Sequence, residues 1–177
     1  MLKLKCAAAL AAIAGLAGCQ TVYETAAAQI GEAQIKDRSG QIVGTARLYS
    51  LADEITINVS LERLPAGTHA VHLHTKGDCS AGDFTSAGGH LNPGGNQHGT
   101  MNPKGAHLGD LPNATISADG AGTLSTLLRG TKTTVSAAIF DADGTALVVH
   151  EGPDDYRSDP AGDAGSRIAC GVFAPAV

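Results

Sequence analysis

Two histidines on one short stretch of the chain have a spacing suited to metal binding. His72 and His74 lie two residues apart in the alternating segment 68–75. Residues two apart in a β-strand project from the same face, so both imidazoles can bind one metal ion. A third histidine, His150, ends another alternating segment, 145–150. Neutral imidazole is a good ligand for copper and zinc, which makes these three residues candidate ligands.

Three more histidines and an aspartate lie in a long segment that has neither helical nor strand periodicity. Residues 77–112 are dense in Gly, Asn, Pro and His, and they contain His90, His98, His107 and Asp110. Loops of this length are uncommon in compact domains unless they are functional or disordered. Metal bonds are one of the few devices that offset the entropy lost when such a loop becomes ordered.

Each histidine alone has a simpler explanation, as a solvated loop residue or a hydrogen-bonded strand residue. The joint pattern favours metal, because an imidazole-rich set with one carboxylate and no thiolate fits zinc and copper better than calcium or magnesium. Six of the seven histidines, together with Asp110, therefore predict metal binding by these segments.

The elements that must position these residues are predicted to be strands. Alternation and turn signals place them over residues 30–37, 41–50, 55–61, 68–75, 114–118, 122–128, 134–140, 145–150 and 167–173. A second long loop is predicted over 151–166. The 23 glycines and 16% charged residues favour a turn-rich β protein, and 177 residues suit one domain with a buried core. We predict an all-β fold, an eight-stranded antiparallel Greek-key barrel or sandwich whose two long loops carry the chemistry.

The N-terminus predicts an export signal. Lys3 and Lys5 form a positive start, and residues 7–17 are almost wholly apolar but too short to span a bilayer. The sequence Leu-Ala-Gly-Cys that ends at Cys19 resembles the bacterial lipobox. This resemblance implies a signal peptide over 1–18, removed before a lipidated Cys19.

The lipobox also implies where the protein resides. We expect a tether over residues 19–28, a folded domain over 29–177, and a lipid anchor on the periplasmic side of the cell envelope. Gln20 is not Asp, which suggests sorting to the outer membrane. An ordinary secretory signal cut nearby is the alternative.

The four cysteines fit the same prediction. Cys6 lies in the signal and Cys19 would carry lipid, so Cys79 and Cys170 remain. Because an exported protein meets an oxidising compartment, we expect these two to form a disulfide. Two buried free thiols are the alternative.

The charge of the chain bears on its partners. Removal of residues 1–18 leaves 10 basic against 17 acidic residues, a formal charge of −7. That balance argues against binding nucleic acid. A monomer and a homodimer both remain open, because no single exposed apolar strand defines an interface.

The motifs that contain the candidate ligands resemble the copper/zinc superoxide dismutase family, in its bacterial exported branch. They are 69–74 (HAVHLH), 88–93 (GGHLNP), His98, 107–113 (HLGDLPN), 149–151 (VHE) and 164–171 (AGSRIACG). They stand in the family's order and cover nearly all of the predicted domain. Ala70 and Leu91 depart from the glycine and the aromatic residue that are usual there, which affects packing more than chemistry.

The resemblance implies a reaction and a ligand set. The reaction is dismutation of superoxide to dioxygen and hydrogen peroxide by a copper redox centre bridged to a structural zinc. The implied copper ligands are His72, His74, His90 and His150, and the implied zinc ligands are His90, His98, His107 and Asp110. His90 would bridge both ions and carry a proton during the reaction, whereas His69 matches a structural histidine.

Two further residues gain roles from the resemblance. Asp154 is similar to the aspartate that accepts hydrogen bonds from one copper and one zinc histidine. The adjacent Asp155 is the other candidate for this role. Arg167 is similar to the arginine beside copper, where a guanidinium attracts and orients a small anion. Plain surface charge is the alternative for the aspartates, and a loop anchor is the alternative for Arg167.

An acidic protein can attract an anionic substrate only if the electrostatic field at the site is positive despite the negative net charge. The two ions and Arg167 would make the site positive, and Lys76, Lys104 or Arg157 are expected to help guide superoxide. The main alternative function is a non-enzymatic periplasmic copper/zinc binding protein on the same fold. A purely structural adhesin is a third possibility, but it would leave the His-rich loop unexplained.

Overall fold

The computed structural model describes residues 26–176, which form an antiparallel β structure with one short α-helix in that range. The strands are β1 Ala28–Asp37, β2 Ile42–Leu51, β3 Glu54–Leu61, β4 Gly67–His69, β5 Val71–His74, β6 Ala114–Ile116, β7 Gly122–Leu127, β8 Ala146–His150, β9 Arg167–Val172 and β10 Ala174–Pro175. The helix is α1 Lys132–Ile139, and a 3₁₀ turn spans Thr85–Ala87.

One eight-stranded sheet curls around the core in the order β5-β8-β9-β1-β2-β3-β7, with β10 also paired to β1. The first three strands form a meander, whereas β9 and β7 reach its two sides by long connections, as in a Greek key. Strands β4 and β6 pair separately, and β6 packs beside β7. The predicted all-β antiparallel fold is confirmed.

The core follows the alternation seen in the sequence. In β3 the four apolar residues Ile55, Ile57, Val59 and Leu61 are each at most 3% exposed. Burial of each such side chain contributes about 1.5–3 kcal/mol relative to its exposed state. Val135 and Ile139 of α1 join the same cluster.

The predicted strand over 134–140 is wrong, because this segment forms α1. Thr131 and Thr134 make a capping box at its start, in which the Thr131 hydroxyl accepts from the Thr134 amide at 3.3 Å. Val135 and Ile139 are four residues apart and both buried, which is the helical rather than the strand period. The β-branched residues of the segment favour a strand by propensity, and the cap and the buried helical face override that preference.

Three other features of the strands differ from the prediction. The segment 68–75 forms two strands, because β4 pairs with β6 while β5 pairs with β8. Strand β1 begins at Ala28, within the predicted tether 19–28, and β10 was not predicted. The predicted signal 1–18 and the lipidation site Cys19 lie outside the described residues. Within 26–176, no helix has the length and apolar composition needed to cross a membrane.

Two long loops connect the strands around the predicted site. The first runs over residues 75–113 between β5 and β6, and the second over 151–166 between β8 and β9. The predicted disulfide is present: Cys79 of the first loop is bonded to Cys170 of β9, 91 residues away in sequence, with the Cα atoms 5.9 Å apart.

Candidate metal centre

The first long loop returns to the free edge of β5 and lies along it. The Leu73 amide donates to the Gly109 carbonyl at 2.9 Å, and the Leu91 amide donates to the Leu73 carbonyl at 2.8 Å. A side-chain carbon on Gly109 would collide with the Leu73 carbonyl, so this approach requires glycine. The resulting bridges place Asp110 opposite His72 and His90 opposite His74.

Four imidazoles converge where β5, β8 and the first loop meet. In the described residues 26–176, the buried side-chain nitrogens and oxygens without a hydrogen-bond partner are four ring nitrogens: His72 Nδ1, His74 Nε2, His90 Nε2 and His150 Nε2. These residues form one group whose ligand atoms lie within 4.8 Å of one another. A buried polar atom without a partner is costly, and four that face one point are accounted for by a shared metal ion.

The opposite ring nitrogen of three of these histidines is held by the protein. His74 Nδ1 lies 2.9 Å from the Gly88 carbonyl, and His150 Nδ1 lies 3.2 Å from the Gly165 carbonyl. His72 Nε2 lies 3.0 Å from the Asp154 carboxylate. Each ring donates there, which leaves a lone pair on the nitrogen that faces the common point.

Burial keeps the rings of His74, His90 and His150 neutral. It is the largest cause that lowers the pKa of His74 to about 2, of His150 to about 3 and of His90 to about 4. The charges of neighbouring histidines lower these pKa values further, while hydrogen bonds to Gly88, Gly165 and Asp110 oppose the shift. Neutral imidazole is the form that binds metal.

A second group surrounds Asp110 and shares His90 with the first. Asp110 Oδ1 lies 2.9 Å from His90 Nδ1, 3.0 Å from His98 Nδ1 and 3.1 Å from His107 Nδ1. Three nitrogens and one oxygen therefore face one another, which is the donor set of a closed zinc site. Asp110 Oδ2 is fixed by the amides of Gly99 at 2.8 Å and His107 at 2.9 Å.

Asp154 joins the two groups. Its Oδ2 lies 3.0 Å from His72 Nε2 and its Oδ1 lies 2.9 Å from His98 Nε2. Asp155 instead faces away and accepts from the Arg157 and Ser158 amides. Burial raises the Asp154 pKa, but the hydrogen bonds from His72 and His98 outweigh it and lower the pKa.

Sequence reasoning missed two residues next to Asp154: Asn113 holds it in place, and Gly162 leaves room for its carboxylate. The Asn113 side chain donates to the Asp154 carbonyl at 2.9 Å and accepts from its amide at 2.8 Å. Gly162 lies against the Asp154 carboxylate and His98, where any side chain would collide. Neither residue carries a local signal, since Asn113 is 41 residues from Asp154 in sequence.

Arg167 borders the opening above the first group. A cavity of about 370 Å³ is lined by Arg167, by His74, His90 and His150, and by Asp159 of the second loop, among others. The guanidinium donates from Nη1 to the Phe84 carbonyl and from Nη2 to the Gly88 carbonyl, each at 2.7 Å. Lys76, Lys104 and Arg157, which the sequence suggested as guides, do not line this cavity.

His69 lies outside both groups. It is buried, and its ring nitrogens lie 2.8 Å from the His150 carbonyl and 2.9 Å from the Pro65 carbonyl. It therefore supports the backbone of a candidate ligand from behind, in line with the structural role expected for it.

The metal-free protein is expected to be most stable near pH 6.5. His74, His90 and His150 have folded pKa values below 6.5, so the unfolded chain binds more protons between about pH 4 and 6.5. Stability then falls as pH decreases, by up to about 1.4 kcal/mol per pH unit for each histidine. Burial lowers the pKa of His98, but Asp110 and Asp154 outweigh it and raise that pKa to about 9. The folded protein therefore binds more protons than the unfolded chain above pH 6.5, and stability falls as pH rises towards 9.

Urea unfolding of metal-free protein at pH 5, 6.5 and 9 measures this profile. In a His74→Asn control, the number of protons taken up on unfolding between about pH 4 and 6.5 should decrease by about one. A free energy of unfolding that does not change between pH 5 and 6.5 would contradict the role of the buried histidines.

Comparison with known proteins agrees with this geometry. The family model for copper/zinc superoxide dismutase matches residues 42–173. Superoxide dismutase [Cu-Zn] 2 of Aquifex aeolicus is 42% identical over 80% of this chain and 84% of its own length. Superoxide dismutase [Cu-Zn] of Caulobacter vibrioides is 38% identical over 98% of this chain and 99% of its own.

Solved structures give the same result. A double mutant of a SOD-like protein from Bacillus subtilis, with two substitutions to histidine, has a TM-score of 0.71 and 36% identity over 82% of this chain and 98% of that one. Cu/Zn superoxide dismutase from Brucella abortus has a TM-score of 0.63 and 28% identity over 80% of this chain and 97% of that one. The chain belongs to the copper/zinc superoxide dismutase family.

Proposed function

We propose that this protein catalyses the dismutation of superoxide to dioxygen and hydrogen peroxide. The observation that carries the proposal is the set of four buried, partnerless ring nitrogens. Three of the four rings, those of His74, His90 and His150, line an open cavity together with Arg167. A site that only stored metal would not require an arginine beside an open approach.

The residues present fit both metals of the family. His72, His74, His90 and His150 would hold copper through the four partnerless nitrogens. His90, His98, His107 and Asp110 would hold zinc through the atoms that crowd around Asp110 Oδ1. When bound, copper supplies a redox couple that accepts an electron from one superoxide and donates it to the next.

His90 supplies a proton to this reaction. Its Nε2 faces the first group and the cavity, whereas its Nδ1 faces Asp110 at 2.9 Å. Nδ1 keeps the ring in position, so Nε2 can take up and release a proton whenever its lone pair is not engaged by copper. Since two superoxide anions and two protons give one dioxygen and one hydrogen peroxide, a proton donor beside the bound anion promotes the second step.

Arg167 attracts and orients the anion, and the rate should therefore fall with ionic strength. Between about 0.01 M and 0.15 M salt the Debye length decreases from about 30 Å to about 8 Å, which weakens attraction at a distance. The second-order rate constant for superoxide, measured by pulse radiolysis across a salt titration, tests this. Arg167→Ala should flatten the dependence, whereas a wild-type rate that is flat or rises with salt would exclude attraction by Arg167.

A cyanide-sensitive superoxide assay on metal-loaded protein, with copper and zinc content determined, tests the function itself. Consumption of superoxide that scales with copper content supports dismutation. A protein that binds both metals and does not accelerate the reaction would instead be the non-enzymatic binding protein.

We also propose that the protein is a periplasmic lipoprotein. Support comes from the positive start, the apolar segment and the Leu-Ala-Gly-Cys sequence that ends at Cys19. Fatty-acid labelling that disappears in Cys19→Ala, with fractionation of inner and outer membranes, tests the anchor and its location. Labelling that persists in Cys19→Ala would exclude Cys19 as the lipid site.

A further inference from the structure

We propose that Arg38 is a positioning residue that holds the backbone of Arg167, and thereby the guanidinium beside the first histidine group. The inference rests on the proposed role of Arg167 in attracting superoxide. Arg38 lies in the β1–β2 hairpin, 129 residues from Arg167 in sequence, and no motif of the sequence pointed to it.

The contact is a two-pronged hydrogen bond. Arg38 donates from Nε at 3.1 Å and from Nη2 at 2.7 Å, both to the Arg167 carbonyl oxygen. Two donors of one planar guanidinium on a single acceptor define the position of that acceptor better than a single flexible donor does. Lysine cannot reproduce this geometry, because its ammonium is a point charge on a flexible stem.

The hairpin that carries Arg38 is itself well ordered. The Asp37 carboxylate accepts from the Ser39 amide at 2.8 Å and from the Gln41 amide at 3.0 Å. The Gly40 amide donates to the Asp37 carbonyl at 3.0 Å, and Gly40 adopts a left-handed φ of 83°. The turn therefore holds the Arg38 backbone in a defined position before its side chain reaches Arg167.

Arg167 needs support at this point because regular pairing weakens there. The β1–β9 ladder pairs Lys36 with Cys170 and Asp37 with Ala169, and no pair extends to Arg167. On the other side, the β8–β9 register shifts between Val149 and His150, where His150 faces Arg167. The Arg38 side chain continues the contact between the hairpin and β9 beyond the last paired residues.

The two ends of Arg167 are thus held by different parts of the molecule. Arg38 holds its carbonyl, while the Phe84 and Gly88 carbonyls hold its guanidinium. Gly88 also accepts from His74 Nδ1, so the position of Arg167 is tied to that of a copper-binding ring. Loss of Arg38 would let the start of β9 move and would displace the guanidinium relative to His74.

The test is a set of variants in the metal-loaded protein. Arg38→Ala should lower the second-order rate with superoxide, and weaken the binding of azide as an anionic probe, by about threefold to tenfold. Arg38→Lys should show the same loss, because lysine keeps the charge but lacks the planar guanidinium with two donors. Arg63→Ala is the matched control, since it removes one exposed arginine that donates to a backbone carbonyl at the start of β2, that of Ile42, rather than to β9.

A double-mutant cycle separates positioning from general destabilisation. In an Arg167→Ala background, Arg38→Ala should cause no further loss of rate or azide affinity. A loss that persists there, or full activity of Arg38→Lys, would overturn the proposal in favour of a charge or stability effect. Wild-type behaviour of Arg38→Ala would also overturn it.

A measurement on metal-free protein gives a readout independent of activity. Phenylglyoxal, an arginine-specific dicarbonyl, should modify Arg167 faster in Arg38→Ala than in wild type or Arg63→Ala, as followed by peptide mass mapping. An unchanged rate of modification would contradict the proposal. If Arg167→Ala leaves the superoxide rate unchanged, the proposed role of Arg167 fails. If Arg167→Ala lowers the rate but Arg38→Ala does not, only the proposed role of Arg38 is excluded.

Discussion

Replacement of His90 by alanine is expected to lower the dismutation rate of metal-loaded protein at pH 7 by about 100-fold or more. His90 is the residue that belongs to both groups, with Nε2 in the first and Nδ1 in the second. Its loss would remove one candidate ligand from each group, together with the proposed proton carrier Nε2. The measurement is the cyanide-sensitive rate per bound copper, with copper and zinc determined on the same sample.

His107→Ala is the control for His90. It removes a ligand from the second group but leaves all four nitrogens of the first in place. We expect it to weaken zinc binding and to retain a much larger share of the rate per copper. Near wild-type turnover of metal-replete His90→Ala would show that the bridge is not the proton donor.

Removal of the disulfide by the double substitution Cys79→Ser and Cys170→Ser is expected to lower the free energy of unfolding by about 4–5 kcal/mol. The bond closes a segment of 91 residues, and in the chain-entropy model a cross-link of this span restricts the unfolded chain strongly. Urea unfolding of the metal-loaded protein measures the change.

The same double substitution should also lower activity. Cys79 belongs to the loop that supplies the Phe84 and Gly88 carbonyls to Arg167, so a looser loop would release the guanidinium. Wild-type protein treated with a dithiol should reproduce both effects, and reoxidation should reverse them. A reduced protein with unchanged stability and rate would show that the loop is held by its metal ligands alone.

Much of the fold and of the donor set was predictable from local patterns. Alternation identified β3 and its buried face, and the i, i+2 spacing of His72 and His74 placed both on one strand. Helix α1 was missed although Val135 and Ile139 carry its period, because β-branched residues and a short segment favoured a strand. The helix-capping residues Thr131 and Thr134 are the signal that distinguishes a helix from a strand here.

Contacts that join distant segments were not predictable in the same way. Arg38 reaches Arg167 across 129 residues, and Asn113 reaches Asp154 across 41. Such pairs depend on which strands become neighbours, and no local pattern in the sequence encodes that. Position 162 is a similar case, because it requires glycine on account of the Asp154 carboxylate packed against it.

Six histidines and Asp110 can be identified from the sequence alone as side chains able to bind metal. The cysteine pair Cys79 and Cys170 and the arginine Arg167 can also be identified there. Residue type and local spacing are sufficient for this, because ligand chemistry resides in the side chain. Which ring nitrogen faces which group follows from the tertiary structure. That choice depends on carbonyls and carboxylates from other segments, such as Gly88 for His74 and Asp154 for both His72 and His98.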